Sequence, residues 1–190
     1  MHLLSRIRGD AYTGEEIQYS NADRDSVKLQ HNRIYRHQVI RINYTTYDMR
    51  RCQDIVNAGR SDHANIMVLA HDDDPNDSHP YWYARILGIF HAHVSYRGSS
   101  PPQKMEFLFV RWFGCDLSYR AGWKARRLHR IGFLTDDVAD AYGFLDPNDI
   151  VRATHLIPAF TQDDNGIVNL PVGLSSAHSF HDWVYFYVNL

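Results

Sequence analysis

The stretch His79–Gly114, HPYWYARILGIFHAHVSYRGSSPPQKMEFLFVRWFG, decides the fold class of this chain. It reads as two long strands joined by a proline-closed loop. Along the first strand Trp82, Ala84, Ile86, Gly88, Phe90, Ala92 and Val94 fall on one face, the period of two that marks a strand resting on a core. The opposite face is mixed: Tyr83, Arg85, Leu87, Ile89, His91 and His93. In the second strand Leu108, Val110 and Trp112 alternate with Phe107, Phe109 and Phe113. Both of its faces are apolar, which predicts a central strand covered on each side.

Working outward, Arg33–Thr46 alternates as a strand, with Ile40, Ile42, Tyr44 and Thr46 on one side. Tyr47–Asn57 is expected to form a short helical turn before Gly59, and NIMVLA, Asn65–Ala70, a short apolar strand. Pro75 and Pro80 then break the polar loop HDDDPNDSHP. Beyond the two long strands, LHRIGFL and THLIPAF read as brief strands, and Asp146 before Pro147 as the cap of a short helical turn. Thr161–Ser179 reads as a loop and WVYFYVN as a last hydrophobic strand. Residues 1–26 show no sustained period and read as a loose lead-in. Residues 27–190 read as one β-rich module, cut from a longer protein. The expected fold is mainly β: a small bent sheet or barrel, long loop insertions and few short helices.

At 190 residues the chain can bury the core of one domain, and 13% aromatic and 44% hydrophobic content excludes wholesale disorder. No apolar run approaches the roughly 20 residues of a membrane span, and Met1–Arg8 lacks the apolar stretch of a secretory signal. Two cysteines, Cys52 and Cys115, write neither a disulfide framework nor a cysteine-rich zinc site. A nuclear or cytoplasmic, membrane-free location is the expectation.

Net charge is only −2, but the charges come in blocks. Lys28–Arg60 and Arg111–Arg130 are basic; Ser61–Pro80, with Asp62, Asp72, Asp73, Asp74 and Asp77, is acidic, as is Ile131–Gly166. Either the blocks neutralise each other across the fold, or they form faces for charged partners. Seventeen of the twenty bases are arginine, the side chain suited to carboxylates, phosphates and aromatic faces.

Catalytic signals are sparse. His91 and His93 share a strand face and could supply two metal ligands, the basis of a distant reading as a metal-dependent hydrolase, but no third ligand stands at a telling spacing. Cys115 and His129 form an imaginable nucleophile and base, and phosphate-binding glycine loops, GxSxG and HExxH are absent. The expectation is no enzyme activity, no metal and no cofactor. Tyr81, Trp112 and Tyr142, with Asp146 nearby, are candidate peptide-binding residues, because rings beside carboxylates suit a methylated or free ammonium. Core packing is the alternative for Trp112. Arg50, Arg51, Lys124, Arg126 and Arg127 are candidate phosphate contacts for nucleic acid.

Five segments, INYTTYDMRRCQD, HPYWYARILGIFHAHV, MEFLFVRWFG, AYGFLDPNDIVRATHLIPAF and DWVYFYVNL, resemble in order the C-terminal region of large proteins encoded by basidiomycete transposons of the Plavaka and KDZ type. The catalytic part of such a protein lies upstream of the matching region. A looser likeness, over Ile66–Phe160, is to the bromo-adjacent homology (BAH) domain, through YWYARILGIF, EFLFVRWF, YGFL and DPNDIVRATHLI. Here the chain departs by the basic insertion Cys115–Arg130 and lacks that family's proline motif after the return strand. The BAH likeness implies an SH3-like, BAH-like barrel that docks on chromatin protein, and the expected partner of the module is a chromatin protein, a histone peptide or another subunit. A nucleic-acid-contacting accessory domain working through the basic loops is the alternative.

Overall fold

The computed structural model describes residues 2–9, 18–70, 79–98, 101–138, 140–159, 167–168 and 182–189. Two short helices lead, α1 (His2–Arg8) and α2 (Asn21–Asp25). Strands β1 (Val27–Leu29), β2 (Tyr35–His37), β3 (Val39–Thr45), β4 (Arg51–Asn57) and β5 (Asn65–Leu69) precede the long pair β6 (Tyr81–Tyr96) and β7 (Gln103–Cys115). After them come β8 (Arg130–Phe133), β9 (Tyr142–Leu145), β10 (Ile150–Ala153), β11 (His155–Pro158), β12 (Ile167–Val168), β13 (Asp182–Trp183) and β14 (Tyr185–Asn189). The fold is mainly β, as the alternation predicts.

Among the described residues the main sheet runs β10-β5-β6-β7-β8-β14-β11, with β1 and β2 added along β6 and β9 along β7. All of its described pairings are antiparallel. The sheet bends until its two end strands are consecutive in the chain, parted only by Thr154. No ladder joins β10 to β11, because one half of that stretch is given to β5 and the other to β14. The bent sheet is therefore present, and the closed-barrel alternative is corrected.

Both faces of β7 are covered, for reasons its composition dictates. Leu108 and Val110 pack with Ala84, Ile86, Ile66 and Val68 beneath Ile42 and Val56 of the β3–β4 hairpin. Phe113 faces the inside of the bend with Met67, Tyr83, Ile131, Leu156, Phe186 and Val188, one or two residues from each strand. Farther along, Met105 and Phe107 join Ala92 and Val94 under Leu3 and Ile7 of α1 and Val27 of β1.

Three expectations change. The single-face reading of β6 breaks at Leu87, where the ladder with β7 shifts between Ile86 and Gly88. The extra residue turns Ile89 toward the Leu108 side, and Phe90, Ala92 and Val94 to the other. Tyr47–Asn57 is no helical turn. Arg51–Asn57 pairs residue for residue with β3 across a turn in which the Thr46 hydroxyl accepts from Arg50 N at 3.2 Å. Thirdly, the lead-in is not loose where it is described: α1 buries Leu4, and Arg6 pairs with Asp146 at 2.5 Å and donates to the Glu106 carbonyl. The Asp72–Asp77 run lies outside the described residues, as does most of the Thr161–Ser179 loop.

Candidate functional site

The predicted peptide-binding rings do not converge. Tyr142 lies opposite Arg111 in the β7–β9 ladder and so shares its face, whereas Trp112, the next residue along β7, points to the reverse one. Trp112 meets Trp82 edge-on, with ring centroids 6.1 Å apart, against the cluster beneath the hairpin. Tyr81 packs partly buried against the cluster inside the bend.

Tyr142 and Asp146 already have partners within the molecule. The Tyr142 ring stacks on Phe109 at 6.0 Å, with the Arg111 guanidinium carbon 5.4 Å from its centroid. Its hydroxyl donates to Asp136 Oδ1 at 2.9 Å. Burial first, and then that hydrogen bond to a carboxylate, push the Tyr142 hydroxyl up to about 12. Asp146 caps the turn Pro147–Asp149 by accepting from Asn148 N at 2.9 Å, and is held by Arg6.

The basic loops differ from this in being open. At the β3–β4 turn Tyr47 and Met49 are fully exposed beside Arg51 and Arg50, the latter paired with Asp48 at 2.8 Å. The loop from Asp116 to Arg130 is larger and better braced. Asp116 Oδ1 accepts from Ser118 N (2.9 Å) and Ser118 Oγ (2.6 Å), and its Oδ2 from Arg130 Nε (2.8 Å). Burial alone raises the Asp116 carboxyl; the hydrogen bonds from Ser118 and Arg130 outweigh it and hold the group below the usual carboxylate range. The Arg130 guanidinium is clamped between Tyr119 (4.3 Å) and Tyr185 (4.6 Å).

Above that base, Gly122 N donates to the Arg127 carbonyl at 2.9 Å, closing a small ring of chain over Trp123–Ala125. Gly122 takes φ +91 there, a conformation that costs glycine little and other residues more. The result is a prong. Trp123 is 98% exposed and Leu117 90%, among the exposed bases Arg120, Lys124, Arg126 and Arg127.

His91 and His93 are joined by a neighbour the sequence spacing did not show, His37 of β2. His37 Nε2 lies 2.6 Å from His91 Nδ1, and Tyr35 stacks on His91 with centroids 4.8 Å apart. Burial first, then the charges of His37, Lys104 and His93, lower the His91 pKa, with Glu106 opposing. Among the described residues no group of three or more His, Cys, Asp or Glu side chains is placed to hold a metal ion. Cys115 is exposed at the end of β7.

Trp123 is the residue that sequence reading passed over. Its signal was present: an aromatic set between glycine and bases in GWKARR, outside any alternating run. No described helix is long and apolar enough to cross a membrane. Comparison with protein-family models, with curated proteins and with solved structures finds no match for this chain.

Proposed function

We propose that the chain is a non-enzymatic docking module that holds another protein through the loop Asp116–Arg130. The partner is a chromatin protein or fellow subunit presenting an acidic surface with apolar side chains. The observation that carries this reading is Trp123, a fully exposed indole on a hydrogen-bonded prong of a loop that also carries four exposed bases. Exposing such a ring to water is unfavourable unless it is covered in use, and tryptophan and arginine dominate the energetics of protein interfaces. The braced base limits the ordering cost of binding. The resemblance to the C-terminal part of transposon-encoded proteins and to the BAH domain supports a nuclear setting for this activity.

Nucleic acid is the second reading, favoured by the same pairing of ring and bases, since an indole also stacks on unpaired bases while arginines meet phosphates. Fluorescence anisotropy at about 150 mM salt separates the two. The probes are a short acidic peptide carrying leucines, a basic histone-tail peptide with and without lysine methylation, an oligothymidylate and a DNA duplex. The acidic peptide is expected to bind best, with Trp123→Ala weakening it by about tenfold, the loss of about 1.4 kcal/mol. Tighter binding of the oligothymidylate or duplex, collapsing as salt rises, transfers the function to nucleic acid. Preference for the histone tail moves it to the acidic face. Silence from every probe rejects the loop as a docking surface.

A further inference from the structure

Among the described residues the β3–β4 hairpin is a two-stranded ribbon apart from the main sheet, and its two faces differ in kind. The inner face is packed: Ile42 and Val56 are buried in the core, the Tyr44 ring lies 4.6 Å from the Arg152 guanidinium carbon, and Asp54 accepts from Ala153 N at 3.0 Å. The outer face carries three cross-strand pairs, Arg41 with Ile55, Asn43 with Gln53 and Thr45 with Arg51, and all of these side chains are exposed. None of them is a carboxylate, although acids outnumber bases 22 to 20 in the whole chain, so the face is basic where the protein is not. The hairpin's own acids lie elsewhere. Asp54 is on the inner face, and Asp48 is at the tip, where it pairs with Arg50 at 2.8 Å.

These residue types are the ones that read base edges. Arginine meets guanine O6 and N7, a carboxamide meets adenine N6 and N7, and threonine or an aliphatic side chain touches the thymine methyl. Gln53 Nε2 donates to Asn43 Oδ1 at 2.8 Å, which leaves the Asn43 amide N–H groups and the Gln53 carbonyl on the exposed face, a donor and an acceptor side by side. Adenine presents the complementary acceptor and donor. Outward side chains along one strand recur about every 6.8 Å, or two base-pair rises of about 3.4 Å. The major groove of B-DNA, about 12 Å wide, admits a two-stranded ribbon, whereas that of duplex RNA is too deep and narrow for side chains to read. The core behind the inner face holds the ribbon in place, so little ordering is needed on entry. An acidic peptide would satisfy the arginines and have no use for the carboxamide pair between them.

We infer that the outer face of the β3–β4 hairpin enters the major groove of duplex DNA and recognises a short sequence, with Arg41 and Arg51 on guanine edges and Asn43 and Gln53 on an adenine between them. This surface is separate from the loop Asp116–Arg130 and stands whether or not that loop binds protein.

The test is selection by the full chain from a pool of random-sequence DNA duplexes at about 150 mM salt, followed by anisotropy titration of the enriched duplex and a scrambled one. Enrichment of a motif of about five base pairs containing guanine and adenine is expected, bound at least about tenfold better than the scramble. Arg41→Ala and Arg51→Ala are each expected to weaken the enriched duplex about tenfold, and Asn43→Ala with Gln53→Ala to relax the preference for adenine. Should one arginine variant fail to fold, the other decides. No enrichment, equal binding of enriched and scrambled duplexes, an affinity unaltered in both arginine variants, or loss of binding in Trp123→Ala alone overturns the assignment. Binding of an acidic, leucine-bearing peptide that the arginine variants weaken, with no duplex enriched, gives this face to protein instead.

Discussion

Arg85 and Arg111 stand opposite each other in the β6–β7 ladder with both guanidiniums removed from water, at 2% and 1% exposure. They share the Phe133 ring, whose centroid lies 4.8 Å from one guanidinium carbon and 4.5 Å from the other. Arg85 also donates to Asn65 Oδ1 at 3.0 Å, and Arg111 to Asp136 Oδ1 at 2.8 Å. Burial first, and the charge of Arg111 second, lower Arg85 to about 10. Two like charges inside one bend are thus tolerated through aromatic faces and one carboxylate at the rim.

Asp136 is 56% exposed, so its loss costs little by itself, but it leaves Arg111 buried with no counter-charge. Asp136→Asn is expected to lower stability by about 1–2 kcal/mol. Arg111→Met, which removes the buried charge and its unpaired Nε and Nη1, is expected to be neutral or stabilising. Urea denaturation of the two variants checks the opposite signs; equal destabilisation would show the guanidinium to be a structural asset in its own right.

Acidification should release α1. His2 stacks on Phe144, and burial first, then the charge of Arg6, lowers its pKa from 6.5 to about 4, against the opposing pull of Asp146. Between those values the unfolded chain binds more protons than the folded one, so stability rises with pH across the window and is lost as pH falls through it. The protection factors of the α1 amides, taken relative to the intrinsic exchange rate at each pH, should fall between pH 6.5 and 4 in the native chain, and the change should be blunted in His2→Gln.

Gly132 on β8 leaves no room for a side chain. A Cβ there meets the Val184 carbonyl oxygen at 2.8 Å and the Tyr185 ring at 3.2 Å. The first contact is backbone and cannot swing aside. Gly132→Ala is expected to cost about 1–3 kcal/mol and to loosen β14 from β8; a melting temperature equal to that of the unaltered chain would contradict this packing.

The two tryptophans separate stability from binding. Trp112→Ala removes a ring packed on the cluster under the hairpin and is expected to cost about 3 kcal/mol, the low end for a core aromatic because the ring is only half-buried. Trp123→Ala, at a fully exposed site, should leave the denaturation curve within about 0.5 kcal/mol of the unaltered one. Thermal melts of both, run beside the peptide titration, distinguish a core ring from a docking ring.

Much of the architecture was legible because β-structure writes itself in a short period. The faces of β7, the strands at Asn65–Leu69, Arg130–Phe133 and Tyr185–Asn189, and the Asp146 cap all follow from residues one to three positions apart. The β4 strand was missed because its inward residues, Cys52, Asp54 and Val56, are only one-third aliphatic, so the alternation carried no hydrophobic signal. α1 was missed because Leu3, Leu4 and Ile7 make too short an apolar stripe to stand out before the partner under which it packs is known.

The alternation of side chains, by itself, determined that this chain is a sheet protein with β7 at its centre, since period two depends only on local backbone geometry. Only the tertiary structure decided which faces meet. A one-residue bulge at Leu87 reverses half of β6, the ladder registers send Trp112 and Tyr142 to opposite faces, and the packing of β10 on the β3–β4 hairpin brings Arg152 and Ala153 to Asp54, ninety-eight and ninety-nine positions away in the chain. Those placements are set by pairing between distant segments, and a distant pairing leaves no mark on the spacing of neighbouring residues.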